Sequence, residues 1–196
     1  MWGRFMKALE EKILKEGVVL EGNVLKVGNF LNQKIDTAFT VEMAKEVKRL
    51  FADEKITKIF TIEASGIAIG LAVALEFGVP LVFAKKSKAS NQSGELLTAT
   101  IHSYTRGIDY TATVAAEYIE ADDHVLIVDD FLANGGALCG LVEIVRAAGA
   151  SLAGCVVQIE KGFQGGGDEL RKQGIRVESL ANIEKMSVTE GITFRT

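Results

Sequence analysis

The chain has 196 residues, 48% hydrophobic and 24% charged, with a net charge of −4 and one proline. That is the size of one domain, which can bury roughly 70% of its unfolded surface without disulfide or metal staples. Such a composition excludes general disorder, and the acidic balance argues against a protein held to DNA, RNA or an anionic membrane by a basic face.

Residues 6–16 place Leu9, Ile13 and Leu14 at helical spacing and stop at Gly17, a suitable C-cap. Val18–Leu20 and residues 24–27 read as short strands about the turn Glu21-Gly22-Asn23. Asp36 or Thr37 is placed to cap a helix running to about Ala52, with Val41, Ala44, Val47 and Leu50 or Phe51 on one face. Strand and helix then alternate: a strand at Lys58–Ile62, a helix at Gly66–Phe77, and strands at 80–84 and 124–128. A helix over 136–148 and a strand over 153–159 follow. Between them, 96–104 and 110–119 read as an antiparallel pair, preceded by a polar, cationic loop over 85–94. Strands written as continuous apolar runs between helices predict an open, mainly parallel α/β sheet with helices on both faces, plus a small N-terminal appendage.

Cys139 and Cys155 sit inside apolar runs and read as reduced core residues, and with only His102 and His124 beside them no zinc spacing can be written. Residues 1–6 carry no apolar signal region, and the longest apolar stretch, 66–75, is too short to span a bilayer. A cytoplasmic protein is expected.

The sharpest chemical feature is the run from Val125 to Ala137, in which four apolar residues lead into Asp129-Asp130 and then into Ala133-Asn134-Gly135-Gly136-Ala137. Two adjacent like charges repel and serve no folding purpose, but they suit hydroxyl groups or a cation. The small-residue turn lets backbone N–H groups converge on an anion at a helix start. Together they describe a sugar-phosphate pocket, which is far more specific than a glycine-rich turn alone.

This loop resembles the phosphoribosyl-diphosphate motif of the type I phosphoribosyltransferases, and the order and spacing of further segments resemble the bacterial, xanthine-using branch of that purine salvage family. Those segments are 17–20, 24–27, 30–33, 62–68, 130–135 and 159–161. The resemblance implies one domain over 1–196, in which 1–35 form a base-binding hood. It implies that Asp129 and Asp130 face the ribose, that Ala133, Asn134, Gly135, Gly136 and Ala137 take the 5-phosphate, and that Glu63, Ala64, Ser65 and Gly66 hold pyrophosphate. Leu25, Asn32 and Lys161 would contact the base, and Ser103 and Tyr104 would belong to a loop that closes over substrate. Gly136 stands where the family often has Thr or Gln, so one side-chain contact to phosphate is missing. Residues 1–5 fall outside the resemblance, and Met6 is an alternative start.

From the residues alone, the charge of Lys161 calls for a ligand or a salt bridge, with Glu160 as one candidate. Lys85, Lys86 and Lys88 suit either a departing polyanion or a solvated loop. Phe131 and Phe163 suit base stacking or core, and His102 and His124 read as bystanders. The implied reaction joins xanthine to 5-phosphoribosyl 1-diphosphate, with Mg²⁺ bound mainly through substrate, no protein metal site and a homodimer as the assembly. Guanine or hypoxanthine preference, or a non-catalytic sensor of phosphoribosyl diphosphate, are the alternatives.

Overall fold

The computed structural model describes residues 6–86, 94–103 and 107–196. Its centre is a six-stranded sheet in the order β10-β9-β8-β7-β3-β4. These strands are β3 (Lys58–Ile62), β4 (Leu81–Ala84), β7 (His124–Leu132), β8 (Ser151–Lys161), β9 (Val177–Ser187) and β10 (Gly191–Phe194). All pair in parallel except β10, which folds back antiparallel on β9. Helices α2 (Thr37–Leu50), α3 (Gly66–Phe77), α4 (Gly136–Ala147) and α5 (Gly166–Lys172) cover the sheet, and α1 (Lys7–Glu16) is tied to β9 by Met6 N–H donating to the Leu180 carbonyl at 2.7 Å. Two hydrophobic clusters form, one from α1, α2 and α3 with Ile59, Leu126 and Val156, the other from α4 with Phe60, Ile127 and Cys155. Each large side chain in them contributes about 1.5–3 kcal/mol by leaving water.

The expected α/β sheet is therefore present, and α3 spans the residues the sequence indicates. Asp36 is the cap of α2, accepting from Phe39 N–H at 3.1 Å. Two helix faces need correction. Leu14 is 58% exposed and Val41 42% exposed, while Thr40 and Met43 face the core instead. The antiparallel pair is a separate hairpin, β5 (Leu96–Ser103) with β6 (Ile108–Ala115), and a 3₁₀ turn over Ala116–Tyr118 replaces the end of the expected second strand. Beyond residue 159 the chain forms α5, β9 and β10, which the apolar pattern does not announce.

Strand order reverses between β3 and β7: the chain leaves β3 toward β4 on one side and returns to β7, β8 and β9 on the other. Crevices at such reversals, beyond the carboxyl ends of the strands, are where open α/β sheets bind ligands. The turn after β3 is Glu63–Ser65 and the turn after β7 is Ala133–Gly135, so both suspected anion loops open into this crevice.

Candidate active site

Asp129 and Asp130 are not loop residues. β7 continues through them to Leu132, with Asp129 paired to Val157 and Phe131 to Ile159 on β8. The ladder holds the two carboxyls fixed and nearly buried. Burial, then the neighbouring Asp130 charge, hold the Asp129 carboxyl well above the usual carboxylate range, although Asp130 N–H donates to its Oδ1 at 2.9 Å. Asp130 is met from the other side by Asn32, whose Nδ2 donates to Oδ2 at 3.2 Å.

The turn after β7 begins a helix whose first N–H groups have no intrahelical partners. Gly135 supplies the left-handed conformation this turn needs, at φ 86°. A cavity of about 150 Å³ lies over the turn, lined by residues 131–138 together with Ile101, His102 and Tyr110. The departure at Gly136 has a steric reason, since a Cβ there would stand 3.0 Å from the His102 carbonyl oxygen of β5. The hairpin crosses the helix start where the family's usual side chain would project.

Behind the turn lies a support that sequence reasoning missed. Gly166 N–H donates to the Ala133 carbonyl at 3.1 Å, and a Cβ on Gly166 would stand 2.5 Å from Gly135 N. Gly167 is packed as closely on Glu160. Fully buried Glu160 takes both Arg171 Nη1 at 2.9 Å and Nη2 at 2.6 Å, and accepts from the Ser179 hydroxyl. The one available signal was the run Gly165-Gly166-Gly167, which is improbable at a helix start unless something presses against it.

On the β3 side, Glu63 N–H donates to the Ala84 carbonyl at 3.1 Å, Glu63 Oε1 accepts from Lys86 N–H at 2.7 Å, and the Glu63–Ala64 peptide is cis. Gly66 begins α3 so close to β3 and β7 that a Cβ would overlap Thr61 Oγ1 and stand 2.8 Å from Asp129 Oδ1. The Lys86 charge also favours ionised Asp129. Lys88 and Tyr104 lie outside the described residues; Ser103 ends β5.

The hood is the hairpin β1 (Val18–Leu20) with β2 (Val24–Lys26) and the turns that follow. Leu25, buried at 7% exposure, and Asn32 line a cavity of about 560 Å³ beside it. Lys161 does not pair with Glu160, because successive strand residues point to opposite faces. Its Nζ instead donates to the Asn23 carbonyl at 2.8 Å and lies 5.6 Å from the Phe131 ring centre. Burial lowers the Lys161 pKa. Phe163 is 36% exposed. His102 pairs with Asp109 at 2.5 Å, and His124 with Glu54 and Ser151. A cavity of about 650 Å³ between β4 and β6 is lined by neither Asp129 nor Asp130.

Residues 31–186 fit the phosphoribosyl transferase domain family. The chain belongs to the phosphoribosyltransferase family. It is 49% identical over 191 residues to the xanthine phosphoribosyltransferase of Lachnoclostridium phytofermentans, covering 97% of this chain and 98% of that one. It is 53% identical over 181 residues to that of Heliobacterium modesticaldum, covering 92% and 96%. Among solved structures, APRTase from Giardia lamblia superposes with a TM-score of 0.75 at 23% identity, over 92% of this chain and 98% of that one, a likeness of fold. No helix among the described residues is long and apolar enough to cross a membrane.

Proposed function

We propose that this phosphoribosyltransferase transfers the 5-phosphoribosyl group of 5-phospho-α-D-ribose 1-diphosphate to xanthine, giving xanthosine 5'-monophosphate and diphosphate in purine salvage. The observation that carries the reading is the continuity of β7: Asp129 and Asp130 stand two residues before a turn that presents helix N–H groups. Hydroxyls of a ribose bound to the acids would leave its phosphate over residues 133–137, and its diphosphate toward Glu63–Gly66. Relatives at about 50% identity supply the choice of xanthine.

In the reaction a ring nitrogen of the base forms a bond to the anomeric carbon, the C–O bond to diphosphate breaks, and the nitrogen releases its proton. Glycosyl centres of this kind react through oxocarbenium-like transition states. The chain's work is positioning, charge stabilisation and exclusion of water. Asp129 and Asp130, facing the ribose, would steady positive charge on the ring. Lys161, freed from the Asn23 carbonyl, would donate to a base oxygen, with Asn32 and Leu25 of the hood completing the base pocket.

Among the described residues no group of three or more His, Cys, Asp or Glu side chains is placed to hold a metal. Mg²⁺ carried by diphosphate oxygens and water would reach the site with the substrate. Bound there, the ion neutralises charge on the leaving group. A homodimer and a cytoplasmic setting belong to the same reading. Leu71 and Leu75 of α3 and Phe83 of edge strand β4 are exposed, an apolar surface of the kind a second copy covers.

The test is nucleotide formation from phosphoribosyl diphosphate, Mg²⁺ and each of xanthine, guanine, hypoxanthine and adenine, with light scattering for the assembly. Fastest turnover of xanthine, abolished in D130N, is expected. Faster guanine or hypoxanthine turnover would overturn the base, and binding of phosphoribosyl diphosphate without turnover of any base would overturn catalysis.

A further inference from the structure

Thr61 is an anomaly in an otherwise apolar strand. It follows Phe60 and precedes Ile62 near the end of β3, it has no exposed surface, and its hydroxyl oxygen is buried with no hydrogen-bond partner among the described residues. An unpartnered buried hydroxyl is costly, and Val has the same shape without the cost. The methyl group of Thr61 has an ordinary packing role against α3, since a Cβ on Gly70 would lie 3.4 Å from Thr61 Cγ2. The hydroxyl points elsewhere, to Gly66, where Asp129 Oδ1 also arrives. Only a glycine at 66 lets these two groups converge.

We infer that Thr61 is a positioning residue for the phosphoribosyl reaction: its hydroxyl is held in reserve to donate to the Asp129 carboxylate once that group ionises against the ribose. Thr61 touches no substrate, being sealed beneath α3, and acts through Asp129. The inference rests on the function proposed above. It also explains how a carboxyl so unfavourably placed for charge is made to serve. Asp130 on the same strand opposes ionisation, Lys86 beyond β4 favours it, and Cys155 on β8 is a neutral neighbour whose own thiol is pushed up to about 12. Asn32 spends its donor on Asp130. Thr61 is the hydroxyl left over for Asp129.

The experiment compares wild type, T61V and T61S by two readouts. The first follows aspartate carboxyl titration by ¹³C NMR in the free protein, with D129N to assign the resonance. The second measures the pH dependence of kcat/KM for phosphoribosyl diphosphate. T61V should fold with an unchanged or raised Tm, ionise Asp129 at higher pH than wild type, and lose about 10- to 100-fold in kcat/KM, the worth of one hydrogen bond to a charged group. Its acidic limb should move to higher pH, and T61S should behave as wild type. An Asp129 titration in T61V that overlays the wild type overturns the inference, as does equal loss in T61V and T61S with lowered Tm, which would mark packing. A wild type inactive with every base would refute the proposed function instead, and the NMR titration would still decide the role of Thr61.

Discussion

The support behind the phosphate turn makes a quantitative claim that R171M tests. Arg171 and Glu160 form a two-pronged pair in which the carboxylate is fully buried and the guanidinium largely so. Burial works against the Arg171 charge, yet the hydrogen bonds and charge of Glu160 outweigh it and raise the Arg171 pKa. Removing one partner of a buried pair leaves an uncompensated charge and costs about 3–5 kcal/mol. With an unfolding entropy of about 2.1 cal/mol/K per residue over 196 residues, that is a Tm lowered by roughly 7–12 °C. E160Q/R171M, with neither charge, should recover most of the loss. Because Gly167 leans on Glu160 and Gly166 on the turn over 133–135, KM for phosphoribosyl diphosphate should rise in R171M more than KM for the base. Differential scanning calorimetry and initial-rate kinetics read both. A loss under about 1 kcal/mol, or a double variant no better than R171M, would refute this role.

Three further outcomes follow from the site. Asp129 has a folded pKa above its unfolded value, so the stability it allows at low pH is lost as pH rises through the folded pKa. D129N should therefore be inactive yet more stable than wild type at neutral pH, by about 1–2 kcal/mol, with the difference closing in acid; thermal melts across pH check it. K161M should raise KM for the base about 10- to 150-fold, the worth of a hydrogen bond from a charged donor. The lowered Lys161 pKa should make base affinity fall at a less alkaline pH than an exposed lysine would give, which base-binding titrations across alkaline pH measure. G136T should reduce kcat/KM for phosphoribosyl diphosphate, because its Cβ meets the His102 carbonyl of β5; a gain would mean the missing side chain outweighs that contact.

The sequence was most legible where one force dominates. Strands buried on both faces must be apolar throughout, so the runs ending at Ile62 and Val128 located β3 and β7, and the reversal between them follows from their pairing. The acids looked like a strand end because side-chain polarity was the only cue, whereas backbone pairing with β8 is indifferent to it and carries β7 on to Leu132. Leu14 and Val41 fit a helical face by spacing but are exposed, whereas Leu9, Ile13, Ala44, Val47 and Phe51 of the same expected faces are buried, and Thr40 and Met43 join them. The last third was illegible for a different reason. Gly165 caps α5 and Gly166 and Gly167 open it, a poor helix start by propensity, and β9 carries Glu178, Ser179 and Asn182 among its apolar residues. Ser179 answers to Arg171 of α5, Glu178 pairs with Arg176 two residues before it, and Asn182 Oδ1 crowds Gly162, where a Cβ would overlap it.

Neighbouring residues on β8 show how scaffold and site separate. Glu160 faces one way and is fully satisfied by Arg171 and Ser179, and Arg171 reaches on to Asp168, which Arg195 holds at 2.9 Å. Lys161 faces the other way, with burial lowering its pKa and the Asn23 carbonyl as its hydrogen-bond partner. The same contrast divides the crevice: Asp129 is held against its charge, the Thr61 hydroxyl has no partner among the described residues, and Asp130 accepts from the Asn32 amide. A buried polar group with every bond made costs little to keep and fixes geometry, while one left short of partners retains the capacity to bind something else. By that criterion Asp130 and Lys161 are the groups the proposed substrate would complete, with Thr61 acting behind them through Asp129. Because Asn32 and Lys161 link the hood to the sheet through the donors the base would recruit, base binding must exchange those contacts rather than simply add to them.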